Sequence, residues 1–118
     1  RSLLQRERIE VGVAVVVVDL LGLDFTVPAE AVQCVGGFWQ PKYSVPNAAM
    51  VEAVQLAART EGLLLDPVYT GKIMAGLIGL ARAGEFAPGE RVLFLHTGGL
   101  PSLHAYERVV LGEVAVPD

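Results

Sequence analysis

The sequence predicts an α/β protein in which a layered sheet is flanked by helices. Helical patterns alternate with short apolar runs between residues 47 and 102, and this alternation is typical of that fold class. Two of the apolar runs, 63–65 and 91–95, lead directly into turn residues followed by the start of a helix. Because such turns can meet at the carboxyl ends of neighbouring parallel strands, we expect a binding site there.

Size and composition exclude one broad class. The chain has 118 residues, which fits one domain, and 53% of them are apolar, more than is usual for a soluble domain. This excess indicates either membrane association or faces that are covered by protein outside this sequence. The most apolar run, 11–23, contains Asp19 and is shorter than the roughly 18 to 20 residues that span a bilayer, so we expect no membrane segment.

Charge and cysteine content indicate the setting. The formal net charge is −4 and the basic residues form no cluster, which argues against a nucleic-acid partner. The chain starts at Arg1 without a signal-peptide pattern, and its one cysteine, Cys34, argues against a disulfide scaffold. We therefore expect a reducing, cytoplasmic setting in which Cys34 serves as a small apolar residue.

The first 46 residues contain few clear signals. Within residues 3–21, a β-branched run at 15–18 favours a strand. The charged residues 6–8, and Leu20-Leu21 followed by Gly22 as a C-cap, favour a helix instead. Short extended segments are predicted at Phe25-Thr26-Val27 and Val32-Gln33-Cys34-Val35. A loop rich in glycine, proline and aromatic residues follows at 36–46, and loops of this kind often cover sites.

Residues 47–62 predict a helix. Asn47 suits the N-cap and Gly62 the C-cap of a helix over 48–61. An apolar stripe indicates that one side of this helix packs on a sheet: Met50, Val54, Ala57 and Ala58. The apolar run 63–65 then predicts a short buried strand.

A second helix is predicted over residues 67–83, ending before Gly84. The Asp66 carboxylate can accept amide protons of the first turn, and Pro67 has no amide proton that needs a partner. Three interior glycines each lose roughly 1 kcal/mol of helix propensity, which makes sense if other backbone packs closely on that face: Gly71, Gly76 and Gly79. A strand over 91–95 is predicted to end at His96.

Several of these segments together resemble one enzyme family. The matching residues are Thr60-Glu61-Gly62, Leu65-Asp66-Pro67-Val68-Tyr69-Thr70-Gly71-Lys72, Met74-Ala75-Gly76-Leu77-Ile78, His96-Thr97-Gly98-Gly99-Leu100-Pro101 and Ala105-Tyr106. They look like the C-terminal part of D-cysteine desulfhydrases and 1-aminocyclopropane-1-carboxylate deaminases. These are fold-type II enzymes dependent on pyridoxal phosphate, related to the tryptophan synthase β chain.

The resemblance runs from about Leu20 to Tyr106 and covers about the last third of such an enzyme. It implies that residues 1–118 are a single partial domain, the C-terminal portion of the large catalytic domain. It also favours a helix over residues 3–21, which we therefore predict.

The resemblance implies pyridoxal phosphate as the cofactor. In the resembling enzymes the Schiff-base lysine and the glycine-rich phosphate loop precede the region matched here, and this chain has no match to either. Lys72 occupies the position of a family lysine that does not hold the cofactor, so we expect a surface or ion-paired lysine. The isolated fragment is expected to be inactive.

Two threonines are predicted to contact the cofactor. By resemblance to the desulfhydrases, the hydroxyl of Thr97 would reach the pyridine nitrogen; alternatively, Thr97 only caps the helix that follows. Thr70 stands directly after the matched Tyr69, where ring-opening deaminases carry glutamate, and would contact the same nitrogen.

Tyr69 and Tyr43 are the predicted catalytic residues. The resemblance implies that their hydroxyls face the substrate, where they orient it or assist proton transfer. The alternative is that each is an amphipathic residue whose hydroxyl finds a partner at the rim of a core. Ser44 stands where the family usually has glycine, so a positive φ angle at this position would cost stability.

Neither histidine is predicted to be catalytic. His96 precedes Thr97 and points to the opposite face of the predicted strand, which favours a packed, hydrogen-bonded histidine. His104 is expected on the exposed side of the last helix. Because neither histidine has ligand-like spacing with Cys34 or a carboxylate, we predict no metal site.

The function predicted first is that of a D-cysteine desulfhydrase-like lyase, which cleaves D-cysteine to pyruvate, hydrogen sulfide and ammonia. The pair Tyr69-Thr70 favours this activity. One alternative is a 1-aminocyclopropane-1-carboxylate deaminase, and another is a non-catalytic fragment or interaction module. The expected partners are a small amino-acid substrate, the remainder of the catalytic domain, and a second copy in a homodimer.

Overall fold

The computed structural model describes residues 6–7, 22, 24 and 34–117. The chain divides into two compact units, Arg1–Gly37 and Phe38–Asp118, and each is described by itself. None of the helices that the structure describes has the length and apolar character needed to cross a membrane.

The first unit contains a short antiparallel ladder. Strand β1, Arg6–Glu7, pairs with strand β2, Cys34–Val35, so that Arg6 lies opposite Val35 and Glu7 opposite Cys34. The helix predicted over 3–21 is therefore wrong at Arg6–Glu7, because the backbone groups there pair with a distant segment rather than along a helix. The rest of 3–21 and the segment 25–27 lie outside the described residues, and the extended prediction is confirmed at Cys34–Val35.

Helix α1 spans Ala48–Glu61 and opens the second unit. Its N-cap is Asn47, whose side chain accepts a hydrogen bond from the Met50 amide at 2.8 Å. Its C-cap is Gly62, in the left-handed region with φ 66°. Both predicted caps and both predicted ends are thus confirmed, since each depends on interactions within a single turn.

Helix α2 spans Thr70–Arg82 and begins at Thr70 rather than at Pro67. Residues 67–69 form a turn instead. At its other end the helix stops at Arg82, its C-cap is Ala83, and Gly84 follows with φ 75°. A Cβ atom built on Gly71 would lie 2.7 Å from the Asp66 carbonyl oxygen and 2.7 Å from Val54 Cγ2, which confirms the close packing predicted at this glycine.

The core of the second unit lies between α1 and the segments that follow it. Its centre consists of fully or nearly buried residues: Met50, Val54, Ala57 and Leu65. Partly buried side chains pack around them: Val51, Met74, Phe94, Leu103 and Val110. Two short helices, α3 (Pro101–Ala105) and α4 (Glu107–Val110), complete the unit. Gln55 Nε2 on α1 donates to the Val110 carbonyl oxygen at 2.6 Å, which ties α4 to α1.

The strands predicted at 63–65 and 91–95 are not formed. Leu65 is buried, but Leu64 is 52% exposed and Leu93 is 91% exposed. A strand requires a neighbour that supplies ladder hydrogen bonds, and within residues 34–117 neither segment has one. The predicted layered sheet is therefore not formed by the described residues, most of whose regular structure is helical.

Candidate functional site

The candidate site is built around the buried carboxylate of Asp66. Asp66 Oδ2 accepts hydrogen bonds from the amides of Val68 and Tyr69, both at 2.8 Å. Its Oδ1 accepts from the Thr70 amide and from the Thr70 hydroxyl, both at 2.7 Å. The Asp66 carboxylate accepts these amide protons as predicted, but the prediction that Asp66 is the N-cap of the helix is wrong, because the N-cap of α2 is Tyr69 and residues 67–69 form a turn before it.

These hydrogen bonds set the charge of the site. Burial by itself raises the pKa of Asp66, but the bonds from the hydroxyl and amide of Thr70 and from the amides of Tyr69 and Val68 outweigh it and lower the pKa below its ordinary value. Asp66 is therefore ionised at neutral pH, and all of the donors around it are used to hold the start of α2.

The Thr70 hydroxyl belongs to the same network. Its hydrogen is donated to Asp66 Oδ1, and its oxygen accepts from the Asp66 amide at 2.8 Å. The residue is completely buried. A contact between Thr70 and a ring nitrogen would therefore require the hydroxyl to turn away from Asp66.

The loop 96–99 lies against the other side of Asp66. A Cβ atom built on Gly99 would stand 2.7 Å from Asp66 Oδ1. His96 reaches the same region, since its Nε2 is 2.9 Å from the Leu64 carbonyl oxygen and its Nδ1 accepts from the Gly98 amide at 3.1 Å. The two turns that were predicted to meet are thus in contact at Asp66 and Gly99, although not at the ends of neighbouring strands, which the described residues do not form here.

The two hydrogen bonds of His96 define its tautomer. Because the Gly98 amide donates to Nδ1, the ring proton is on Nε2, which donates to the Leu64 carbonyl. The hydrogen-bonded histidine predicted from the sequence is confirmed, although its side chain is exposed rather than packed. His104 is exposed, as predicted.

Thr97 is exposed on this loop. It does not cap the following helix, because the N-cap of α3 is Leu100 and no side chain makes the capping bond. The hydroxyl of Thr97 is therefore not needed to begin α3, and it lies beside Gly98 and Gly99, whose φ angles are 107° and 92°.

Tyr43 and Tyr69 form the exposed part of the site. Their hydroxyl oxygens are 2.6 Å apart, and their ring centroids are 6.0 Å apart with the planes tilted by 56°. Tyr43 is 70% exposed and Tyr69 is 51% exposed. The hydrogen bond with Tyr43 is the main cause that raises the pKa of Tyr69, so this hydroxyl is protonated at neutral pH. The structure brings together the two tyrosines that were singled out from the sequence.

The loop that carries Tyr43 is held by Lys72. Lys72 Nζ donates to the carbonyl oxygens of Trp39 at 2.7 Å, Lys42 at 3.1 Å and Gln40 at 3.4 Å. Lys72 is buried, and it is in neither of the ion pairs found among the described residues. The prediction of a surface or ion-paired lysine is therefore wrong, because backbone carbonyls of a distant loop replace water and counterion. Burial lowers the pKa of Lys72.

Asn47, the N-cap of α1, also forms hydrogen bonds with this loop. Besides capping the helix, its Nδ2 donates to the Gln40 carbonyl at 2.6 Å and to the Phe38 carbonyl at 3.3 Å. The sequence identified the cap, but the second role depends on contacts that local patterns do not encode.

Ser44 and Tyr106 form a contact that sequence reasoning missed. Ser44 has φ 62°, so the left-handed backbone considered for this position is present. The Tyr106 hydroxyl donates to the Ser44 carbonyl oxygen at 2.7 Å and lies 2.5 Å from Ser44 Oγ. The available signal was that Tyr106 falls inside a matched motif, Ala105-Tyr106, to which no role was assigned.

The described residues contain no group of three or more histidine, cysteine or acidic side chains that could hold a metal ion.

Comparisons with known proteins agree with the resemblance found in the sequence. A family model described as pyridoxal-phosphate dependent enzyme matches residues 1–98. The 1-aminocyclopropane-1-carboxylate deaminase of Burkholderia vietnamiensis is 52% identical over 69 residues, which cover 58% of this chain and 20% of that protein. The protein of the same name from Pseudomonas syringae pv. tomato is 46% identical over 87 residues, covering 74% and 26%.

A solved structure gives the same result. The crystal structure of a 1-aminocyclopropane-1-carboxylate deaminase homologue aligns with a TM-score of 0.67 at 30% identity, covering 92% of this chain and 34% of that one. The chain thus spans 20% to 26% of the length of these curated relatives. Since the family model matches most of its residues, the chain belongs to the pyridoxal-phosphate-dependent enzymes.

Proposed function

We propose that this chain is part of a lyase that deaminates 1-aminocyclopropane-1-carboxylate with pyridoxal phosphate. The observation that carries the proposal is the contact between the hydroxyls of Tyr43 and Tyr69, which presents two proton-bearing groups at an exposed rim. The names of relatives that are 46% to 52% identical support the choice of substrate over D-cysteine, which the sequence alone favoured.

The chain would supply the C-terminal portion of the large domain. The remainder of the catalytic domain would bring the Schiff-base lysine and the phosphate loop, and it would complete the α/β sheet of the family. Leu93 and Leu95, which are 91% and 71% exposed, are suited to pack against that remainder. The intact enzyme would form a homodimer.

The described residues fit one end of the cofactor. Thr97 is exposed beside two glycines, so its hydroxyl would be accessible to the pyridine nitrogen. A hydroxyl, unlike a carboxylate, does not favour protonation of that nitrogen. Thr70 would be the second contact only after its hydroxyl leaves Asp66. When bound, pyridoxal phosphate supplies the electron-withdrawing ring that the reaction requires.

The tyrosine pair would manage protons at the substrate. One hydroxyl donates to the other, so the accepting hydroxyl keeps its own hydrogen for a second partner. The raised pKa of Tyr69 keeps its hydroxyl protonated, which suits donation to the substrate better than proton abstraction. Asp66 takes no part in proton transfer, because four donors already engage its carboxylate.

Cleavage of D-cysteine is the second candidate, and Thr70 favours it. By resemblance, deaminases that open the cyclopropane ring carry glutamate at this position. A glutamate in the fully buried site of Thr70 would place a second carboxylate beside that of Asp66, which would be unfavourable unless one of them were protonated.

An assay of the complete enzyme containing this chain tests both candidates. Turnover of 1-aminocyclopropane-1-carboxylate and of D-cysteine is measured side by side, for the natural sequence and for Thr70→Glu. The proposal predicts that the natural sequence prefers the cyclopropane substrate. A preference for D-cysteine that Thr70→Glu reverses would establish the second candidate, and the absence of both activities would reject both.

A further inference from the structure

We propose that Tyr106 is a positioning residue whose hydroxyl holds Ser44 and thereby fixes the contact between the hydroxyls of Tyr43 and Tyr69. This inference rests on the proposed function, because that function gives the tyrosine contact its role at the substrate. Tyr106 itself acts through the backbone of a loop.

The geometry assigns a direction to each hydrogen bond. The single hydrogen of the Tyr106 hydroxyl goes to the Ser44 carbonyl oxygen at 2.7 Å. Ser44 Oγ, 2.5 Å from the same hydroxyl oxygen, is therefore the donor of the second bond. Tyr106 lies at the junction of α3 and α4, so both bonds join the loop to helices that are 62 positions away in the sequence.

These two bonds offset a conformational cost. Ser44 has φ 62°, a region that residues with a Cβ atom rarely adopt. A serine held there without partners would tend to return to negative φ angles, and the peptide after Tyr43 would turn with it. The two bonds to Tyr106 stabilise the conformation that directs Tyr43 towards Tyr69.

The opposite end of the loop is fixed independently. Lys72 holds the carbonyls of Trp39 and Lys42, and Asn47 holds that of Gln40. The loop is thus fastened on both sides of Tyr43, before it by two helices and after it by Tyr106. Only the second attachment depends on a hydroxyl, so a single substitution can release it while the first one remains.

A tyrosine titration tests this arrangement without substrate. The 118-residue chain is labelled with [ζ-13C]tyrosine, and the carbon shifts of Tyr43 and Tyr69 are followed by NMR against pH. In the natural chain the Tyr69 pKa is displaced upward by its bond to Tyr43. In Tyr106→Phe this displacement should be lost. A Tyr69 titration that is unchanged in Tyr106→Phe, or a natural chain that shows no displacement, would overturn the proposal.

Two variants of Ser44 provide the matched control. Both variants lose the Oγ bond and keep the bond from Tyr106 to the carbonyl. Ser44→Gly also relieves the backbone cost, so Tyr69 should titrate as in the natural chain. Ser44→Ala keeps the backbone cost at φ 62° without the Oγ bond that helps to offset it, so the displacement should shrink. If Tyr106→Phe does not fold, this pair decides, and identical titrations in both variants would overturn the proposal.

The titration also separates this inference from the proposed activity. If Tyr106→Phe removes the displacement but the complete enzyme turns over no 1-aminocyclopropane-1-carboxylate, the activity is wrong and the positioning by Tyr106 stands. If the complete enzyme is active and the Tyr69 titration is the same in Tyr106→Phe as in the natural chain, the activity stands and the positioning by Tyr106 is wrong.

Discussion

Gly99 lies directly against the carboxyl group of Asp66, so that a Cβ atom on Gly99 would stand 2.6 Å from Asp66 Cγ. The backbone of Gly99 also has φ 92°, which side chains with a Cβ atom rarely tolerate. Space and backbone conformation therefore both require glycine where the loop after His96 meets the start of α2.

Comparing alanine substitutions at Gly99 and Gly98 should separate the cost of crowding from the cost of backbone conformation. Gly99→Ala should lower the free energy of unfolding by about 3 kcal/mol, since it adds both overpacking and a left-handed alanine. Gly98→Ala is the matched control, because its φ is 107° but a Cβ atom there would meet nothing within 4 Å. It should lose only about 1 kcal/mol. Urea unfolding measures both losses, and equal values would show that the contact with Asp66 has no cost.

Asp66 should make the fold sensitive to acid. The pKa of Asp66 in the folded chain is below the ordinary value of 3.8. At a pH between these two pKa values, Asp66 binds a proton in the unfolded chain but not in the folded chain. Stability should therefore fall as the pH drops from about 4 through the folded pKa of Asp66. Urea unfolding at a series of pH values from about 2.5 to about 6 measures this loss. The loss should be smaller in Asp66→Asn than in the natural chain, whereas Glu85→Gln, at an exposed position, should not change it.

Lys72 should stabilise the loop that carries Tyr43. Lys72→Met keeps the apolar stem but removes the ammonium donor from the Trp39 and Lys42 carbonyls of the loop, which should cost about 2 kcal/mol of the free energy of unfolding. Lys42→Met is the control, since its side chain is exposed and its loss should change stability by less than about 0.5 kcal/mol. If both variants unfold at the same urea concentration, the carbonyl contacts of Lys72 contribute nothing.

Thr97 should matter through its hydroxyl alone. In the complete enzyme, Thr97→Val keeps the shape of the side chain and removes the proposed partner of the ring nitrogen, so activity should fall by about tenfold or more, equivalent to about 1.4 kcal/mol of transition-state stabilisation. Thr97→Ser retains the hydroxyl and should keep most of the activity. Steady-state turnover by the two variants measures the difference, and full activity in Thr97→Val would remove Thr97 from the cofactor site.

Local signals in the sequence were sufficient for part of this fold. Asn47 and Gly62 identified both ends of α1, and Asp66 identified the acceptor for the amides before α2, because each acts on backbone groups within four residues. The sequence also predicted that the turns after 63–65 and 91–95 would meet, and Gly99 does lie against Asp66, but the parallel strands on which that prediction rested are not formed by the described residues.

Contacts between distant segments were not accessible in the same way. Leu93 is apolar and was assigned to a strand, yet strand formation depends on a pairing segment, and none of the described residues provides one. Lys72 was expected to be at the surface or ion-paired, because its neighbours in sequence reveal nothing of the loop carbonyls that accept its hydrogen bonds. The contact of Tyr106 with Ser44 joins positions 62 apart, and no local pattern encodes it.

The enclosure of the Lys72 ammonium group has a chemical consequence. An amine attacks an electrophile only through a lone pair that is both deprotonated and accessible, and here the nitrogen faces three main-chain oxygens inside the protein. Burial lowers the pKa of Lys72 and so favours its deprotonated state, but the same burial hinders the approach of a reagent to the nitrogen. An acylating reagent should therefore modify the exposed amine of Lys42 and spare Lys72, whose nitrogen serves to bind the carbonyl groups of the loop.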